Sequence, residues 1–169
     1  TAQAFLGFLN TMHAANRVWL TLFSSAYQDF AEKPLPASAL LKDTRAINLP
    51  AHAPHGGTEV LPALRHVVTK IDQHSKDRNA ILVLITDGQI GNEDEVLNVL
   101  SQFPGLTLHV LGIDAAPNDA FLKALSEQHG GSWHQMHPND DIEGTVKRLA
   151  GRLRPAALES LQVASGWDP

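Results

Sequence analysis

The chain has 169 residues, 43 % of them hydrophobic, which gives it the length and the apolar material for one compact core and leaves it too short for two full domains. With 13 Lys and Arg against 18 Asp and Glu, the formal net charge is −5, so it lacks the basic surplus that nucleic-acid phosphates or an acidic membrane surface demand. The absence of cysteine excludes a disulfide scaffold, zinc ribbons, thiol catalysis and iron–sulfur clusters.

The longest apolar run, Ala80 to Ile85, is far below the roughly 18 residues of a membrane helix, and the N-terminus carries no basic region ahead of an apolar stretch. No membrane contact is expected from these residues. A processed signal peptide or an anchor beyond them would leave no trace here, and the compartment stays open.

Phe5, Leu6, Leu9 and Met12 recur at helical spacing, so the chain begins on an amphipathic helix. Arg17 to Ser24 (RVWLTLFS) is apolar on both alternating faces, the pattern of a strand covered on both sides of a parallel sheet. Ser25 to Phe30 is read as a short edge strand folding back, Pro34 to Pro36 as a loop, and Ala37 to Ala46 as weakly helical. Pro50 to Gly57 is too rich in Pro and Gly for regular structure. Thr58 then stands as a cap before a helix that presents Leu61, Leu64, Val67, Val68 and Ile71, with Pro62 in its first turn.

Ala80 to Thr86 (AILVLIT) is a second doubly buried strand, and Asn92 caps a helix carrying Val96, Val99, Leu100 and Phe103. The alternation runs on through a strand at Leu106 to Gly112, a helix at Asn118 to His129 closed by Gly130, a strand at Ser132 to Met136 and a helix at Asp141 to Leu153. Strands alternating with crossover helices make a doubly wound, mostly parallel α/β sheet with helices on both faces. The tail from Pro155 departs from this rhythm and reads as a linker or an added strand.

In open sheets of this kind, ligands bind beyond the carboxyl ends of the strands. Asp87 follows Ala80 to Thr86 directly and Asp114 follows the next strand closely, so both belong to that edge. A carboxylate at a strand end followed by Gly88 is placed to hold a hard cation; capping a turn is the competing use. Gly56-Gly57-Thr58-Glu59 offers a hydroxyl partner or, alternatively, a flexible loop ended by a capping Thr. His52 with His55 and His134 with His137 are close in sequence, but they lack the fixed helical face and acidic third ligand of a convincing metal site. There is no Gly-rich phosphate loop and no Gly-x-Ser-x-Gly elbow, so Ser24 and the other serines give no reason to propose acyl transfer. Lys147, Arg148, Arg152 and Arg154 make the last helix basic, which complements the negative end of its dipole.

Together, these segments resemble a von Willebrand factor A domain, in particular the version in inter-α-trypsin inhibitor heavy chains and in bacterial proteins with a preceding vault protein inter-α-trypsin domain. The resemblance rests on FLGFLN, VWLTLFSS, GGTEVLPALRHVV, ILVLITDGQIGNEDEVL, HVLGID and LKALSEQHGGSWHQM, which cover most of the chain. It implies an A-like domain over residues 1–154 and a tail over 155–169 leading to a following segment, in which PAALESLQV is similar to the strand with which that family leaves the domain. It also implies a cell-envelope or extracellular setting.

The resemblance further implies Mg²⁺ or another divalent cation in a metal-ion-dependent adhesion site, where an acidic group of a protein partner completes the coordination. Thr58 resembles the family's threonine ligand and Asp87 its second aspartate. The family's first ligand group, Asp-x-Ser-x-Ser, ends a central first strand; this chain starts on the helix after it and lacks both. One hydroxyl and one carboxylate are too few for the near-octahedral oxygen shell of Mg²⁺, so the site is incomplete unless that segment is supplied. No other cofactor is expected.

The implied activity is protein binding at the strand-end face, without turnover. The alternative is a metal-assisted hydrolase or phosphotransferase using Asp87 and Asp114, for which the sequence offers no nucleophile. A missing central strand would leave a slot between the two most apolar strands, and four occupants come into question: an upstream fragment, a second copy, direct closure of the neighbours, or a tail strand from Leu158 to Val163. The first two are preferred over closure, because the opening helix packs best where such a strand would leave it.

Overall fold

Almost unbroken apolar runs form the centre of the sheet. In the computed structural model, which describes residues 2–14, 16–47, 59–74, 80–86, 90–113, 119–137, 141, 144–145, 148–149, 151 and 161–166, strand β1 (Arg17–Phe23) is buried at all but its first residue. The run Ala80–Thr86 is buried throughout. Before β1 comes helix α1 (Ala2–Thr11). After it come β2 (Tyr27–Asp29), β3 (Leu35–Pro36), the four-residue helices α2 (Ala37–Leu40) and α3 (Thr44–Ile47), and α4 (Val60–His74). The chain continues with β4 (Ala80–Thr86), α5 (Glu93–Ser101), β5 (Leu106–Ile113), α6 (Asp119–Gln128), β6 (Trp133–Met136) and β7 (Leu161–Gly166).

The strands form one seven-stranded sheet in the order β2-β1-β7-β4-β5-β6, with β3 also on β1. β2 and β3 are antiparallel to β1 and share its outer edge, β2 beside Thr21 to Phe23 and β3 beside Arg17 and Val18. The ladders joining β1, β7, β4, β5 and β6 are all parallel. Because side chains alternate along a strand, Ile81, Val83 and Ile85 face a core with Phe5, Phe8, Leu9, Leu40 and Leu149, and Leu82 and Leu84 face a core built with α4, α5 and α6. Helices therefore cover both faces, the doubly wound arrangement expected from the sequence.

The slot is filled by the fourth of the expected occupants, and from within the chain. β7 pairs with β1 from Val18↔Leu161 to Phe23↔Gly166 and with β4 from Ile81↔Leu161 to Ile85↔Ser165. The tail strand thus lies at Leu161–Gly166, three residues beyond the expected Leu158 to Val163.

Several local expectations are also corrected. Pro34 to Pro36 is not wholly loop, because Leu35 and Pro36 pair with the start of β1, where an edge position tolerates the missing N–H of proline. The stretch from Ala37 to Ala46 divides into two helices because Asp43 starts a new one: its Oδ1 accepts the Arg45 backbone N–H at 2.9 Å. Asn92 does occupy the cap position of α5, but at φ 58° in the left-handed region and with no side-chain cap bond. Gly130 closes α6 at φ +65°, as expected. Asp141 begins the last helical stretch, its Oδ1 accepting the Gly144 N–H at 2.9 Å. Gly144, Thr145, Arg148, Leu149 and Gly151 are helical there, and the remainder up to Leu153 lies outside the described residues.

Candidate functional site

Five parallel strands bring their carboxyl ends to one edge of the sheet. Phe23 on β1 is in register with Gly166, Ile85 on β4 with Ser165, and Thr86 with Gly112 on β5. Ser24, the last residues of β7, Thr86 and Ile113 therefore follow one another along this edge.

Glu59, immediately before α4, is tied to the same place. The Glu59 backbone N–H donates to the Ser24 carbonyl at 2.8 Å, and the Ser24 N–H donates to the Ala26 carbonyl at 2.7 Å as the chain turns into β2. Ser24 and Thr86 are fully buried. The Ser24 Oγ finds no hydrogen-bond partner among the described residues, a costly state for a buried hydroxyl. Ile90, the first described residue after β4, is buried against the α4 side.

Of the residues singled out from sequence, Thr58, Asp87, Asp114, His52 and His55 lie outside the described residues, as does the whole Pro50 to Gly57 loop. Their described neighbours, Glu59 next to Thr58 and Thr86 next to Asp87, both belong to the carboxyl edge. His134 sits on β6, its Nε2 3.1 Å from the Ser132 Oγ, which is in turn 2.9 Å from Nδ1 of the buried His109. No group of three His, Cys, Asp or Glu able to hold a metal occurs among the described residues.

A second polar cluster, which the sequence did not reveal, lies where β2 meets α4. Asp29 accepts from Thr21 Oγ1 at 2.8 Å, contacts His66 Nε2 at 2.9 Å and forms an ion pair with Lys70. Tyr27 stacks on His66 with ring centroids 4.5 Å apart, and the Lys70 ammonium lies 4.2 Å from the Trp19 ring centroid. Partial burial alone would raise the Asp29 pKa, but hydrogen bonds from Lys70, His66 and Thr21 outweigh it and hold the carboxyl below its ordinary value. Since 37 and 41 positions separate Asp29 from His66 and Lys70, no local spacing could have signalled this cluster.

No protein-family model matches the chain, and no curated protein matches it. Solved structures do. A von Willebrand factor type A protein from Catenulispora acidiphila superposes with a TM-score of 0.72 at 12 % identity, over 88 % of this chain and 36 % of that one. The chain has a von Willebrand A fold. Manganese-loaded TRAP protein of Plasmodium vivax matches with a TM-score of 0.68 at 17 % identity, over 88 % of this chain and 62 % of that one. An aerotolerance-related membrane protein from Bacteroides fragilis matches with a TM-score of 0.66 at 14 % identity, over 89 % and 84 % of the two chains. The chain thus spans about a third of the length of the first of these, and at such identities the likeness concerns the von Willebrand A fold itself.

Proposed function

We propose that the chain is a protein-binding module of the adhesion type, which recognises an acidic group of a partner at the carboxyl edge and catalyses no reaction. The observation that carries this reading is the convergence at one edge of the Glu59–Ser24 backbone bond, the Ser24 hydroxyl with no partner among the described residues and the buried end of β4 at Thr86. Glu59 and Thr86 adjoin Thr58 and Asp87 in the sequence, and to that pair we assign a divalent cation. A hydroxyl and a carboxylate satisfy only part of an octahedral oxygen shell, so this chain alone holds the cation weakly, and metal-dependent recognition requires that an Asp-x-Ser-x-Ser segment be supplied before the partner's carboxylate completes the shell. A manganese-loaded protein of the same fold supports the choice of a hard divalent cation. In this reading the module is of the inter-α-trypsin type and works at the cell envelope or outside the cell.

The test uses the metal alone and then an acidic probe. Calorimetric titration with Mn²⁺ is expected to give weak binding, with a dissociation constant on the order of 1 mM, which Asp87→Ala removes while the circular dichroism spectrum is retained. With an Asp-x-Ser-x-Ser peptide supplied, a pool of Asp- and Glu-containing peptides is expected to bind only with Mn²⁺ present. Peptide binding indifferent to both Mn²⁺ and Asp87→Ala would overturn the metal assignment. Turnover of phosphoester or peptide substrates with Mg²⁺ or Mn²⁺, abolished by Asp87→Ala, would overturn the binding-module reading and favour a hydrolase.

A further inference from the structure

Every ladder bond across the centre of the sheet runs through β7. β1 and β4 do not pair with each other; each is bonded to β7 instead, β1 over six register positions and β4 over five. Both flanking strands are buried along nearly their whole length. Without β7 they would present two parallel rows of unpaired N–H and C=O groups in apolar surroundings, which is the template that recruits another strand.

The strand that fills this slot is tied to β1 and to β4 by backbone ladders on both of its sides. Its sequence is Leu-Gln-Val-Ala-Ser-Gly, in which Ala, Ser and Gly are weak strand formers. It is not joined to either neighbour by a tight turn, since the preceding strand in the chain is β6, on the far side of β5 and β4. The nine residues 152–160 precede it; at 3.3 to 3.6 Å per extended residue they can reach up to about 30 Å. Exchange requires this tether to reach the slot of a second copy.

We infer that the slot between β1 and β4 is an exchangeable strand-acceptor site, and that its alternative occupant is the segment 161–166 of a second copy of this chain. A second copy presents the same residues in the same direction, so all the pairings from Val18↔Leu161 to Phe23↔Gly166 and from Ile81↔Leu161 to Ile85↔Ser165 are remade without loss. Reciprocal exchange fills both slots and closes a two-fold dimer. The closed and exchanged forms then share their bonding, and the balance is set by protein concentration against the millimolar effective concentration of a tethered strand. This inference is independent of the metal and partner assignments above.

The absence of native cysteine makes the test clean. Leu20 and Val163 are register partners on adjacent strands, a separation that suits a disulfide. The Leu20→Cys/Val163→Cys variant is refolded from denaturant at about 10 μM to about 1 mM, a range that reaches the effective concentration of the tether. Monomer and dimer are separated by size exclusion with light scattering, oxidised, and run on non-reducing gels. The expected result is a dimer fraction that grows with refolding concentration and becomes covalently linked between chains, while the monomer is linked within one chain. If the double variant does not fold, Leu20→Cys and Val163→Cys chains are co-refolded, and a disulfide between them forms only through exchange. Monomer alone at every concentration, dimers whose disulfides stay within each chain, or co-refolded chains that never cross-link would overturn the inference.

Discussion

Asp29 on the edge strand β2 and Lys70 on α4 form an ion pair that fastens the antiparallel rim of the sheet to the helix covering it. The same carboxylate takes a hydrogen bond from Thr21 and contacts His66, so one half-buried anion organises three elements.

Asp29→Ala leaves the Lys70 ammonium and the buried Thr21 hydroxyl without their acceptor, and is expected to cost about 1–3 kcal/mol. Chemical denaturation at pH 7 measures this. Because the folded pKa of Asp29 is lowered, its contribution is fully present above the ordinary carboxylate range and is lost as the pH falls through the lowered folded value. The stability gap between the native chain and Asp29→Asn is therefore expected to narrow steadily below pH 4; a gap that stays constant to pH 2 would remove the carboxylate from this role.

Two glycines hold β5 against β6 and the turn before it. A Cβ at Gly112 would run into the Trp133 ring, and one at Gly131 into the Leu108 backbone carbonyl. Gly112→Ala is expected to destabilise by about 1–3 kcal/mol as the indole shifts. Gly131→Ala should cost more, since backbone cannot rotate aside. Thermal unfolding of the two variants side by side gives the order, and Gly131→Ala being the milder would contradict it.

Asn92 supplies a conformation rather than a cap. At φ 58° with no side-chain cap bond, it can be replaced by Gly with little change or a small gain, whereas Asn92→Ala should lose about 1 kcal/mol because alanine resists the left-handed region. Equal stabilities for the Gly and Ala variants would refute this account.

The Ser24 hydroxyl offers a further check on the carboxyl edge. With no cation present, Ser24→Ala is expected to leave stability unchanged or raise it by up to about 1 kcal/mol, since the buried polar group removed has no partner among the described residues. A loss above about 2 kcal/mol in urea titrations would mean that the hydroxyl has a partner in the folded chain.

The fold was largely legible, and the reasons are local. The run AILVLIT, short and rich in β-branched residues, reads as a strand covered on both faces, and the stripe from Leu61 to Ile71 as a helix with one buried side. What could not be read depends on distant parts of the chain. Leu35 and Pro36 are strand only because the start of β1 lies beside them, and LQVASG shows its central place only once β1 and β4 stand on either side of it. For the site, the motif residues indicated an edge of the sheet, and Glu59 and Thr86 do lie there. The buried serine between the end of β1 and the start of α4 was visible as a residue, but its lack of a partner is a property of the packed edge and not of any spacing.

The placement of β7 also bears on the order in which the molecule assembles. Its partners on β1 lie roughly 140 residues earlier in the chain and those on β4 about 80, separations whose loop-closure cost makes these contacts the last to form. β4, β5 and β6 with their intervening helices form a more local unit that can organise first, leaving the central ladder to form after the rate-limiting step. Substitutions in β7 should then accelerate unfolding while hardly slowing refolding. The lifetime of the native molecule is governed by the strand that arrives last.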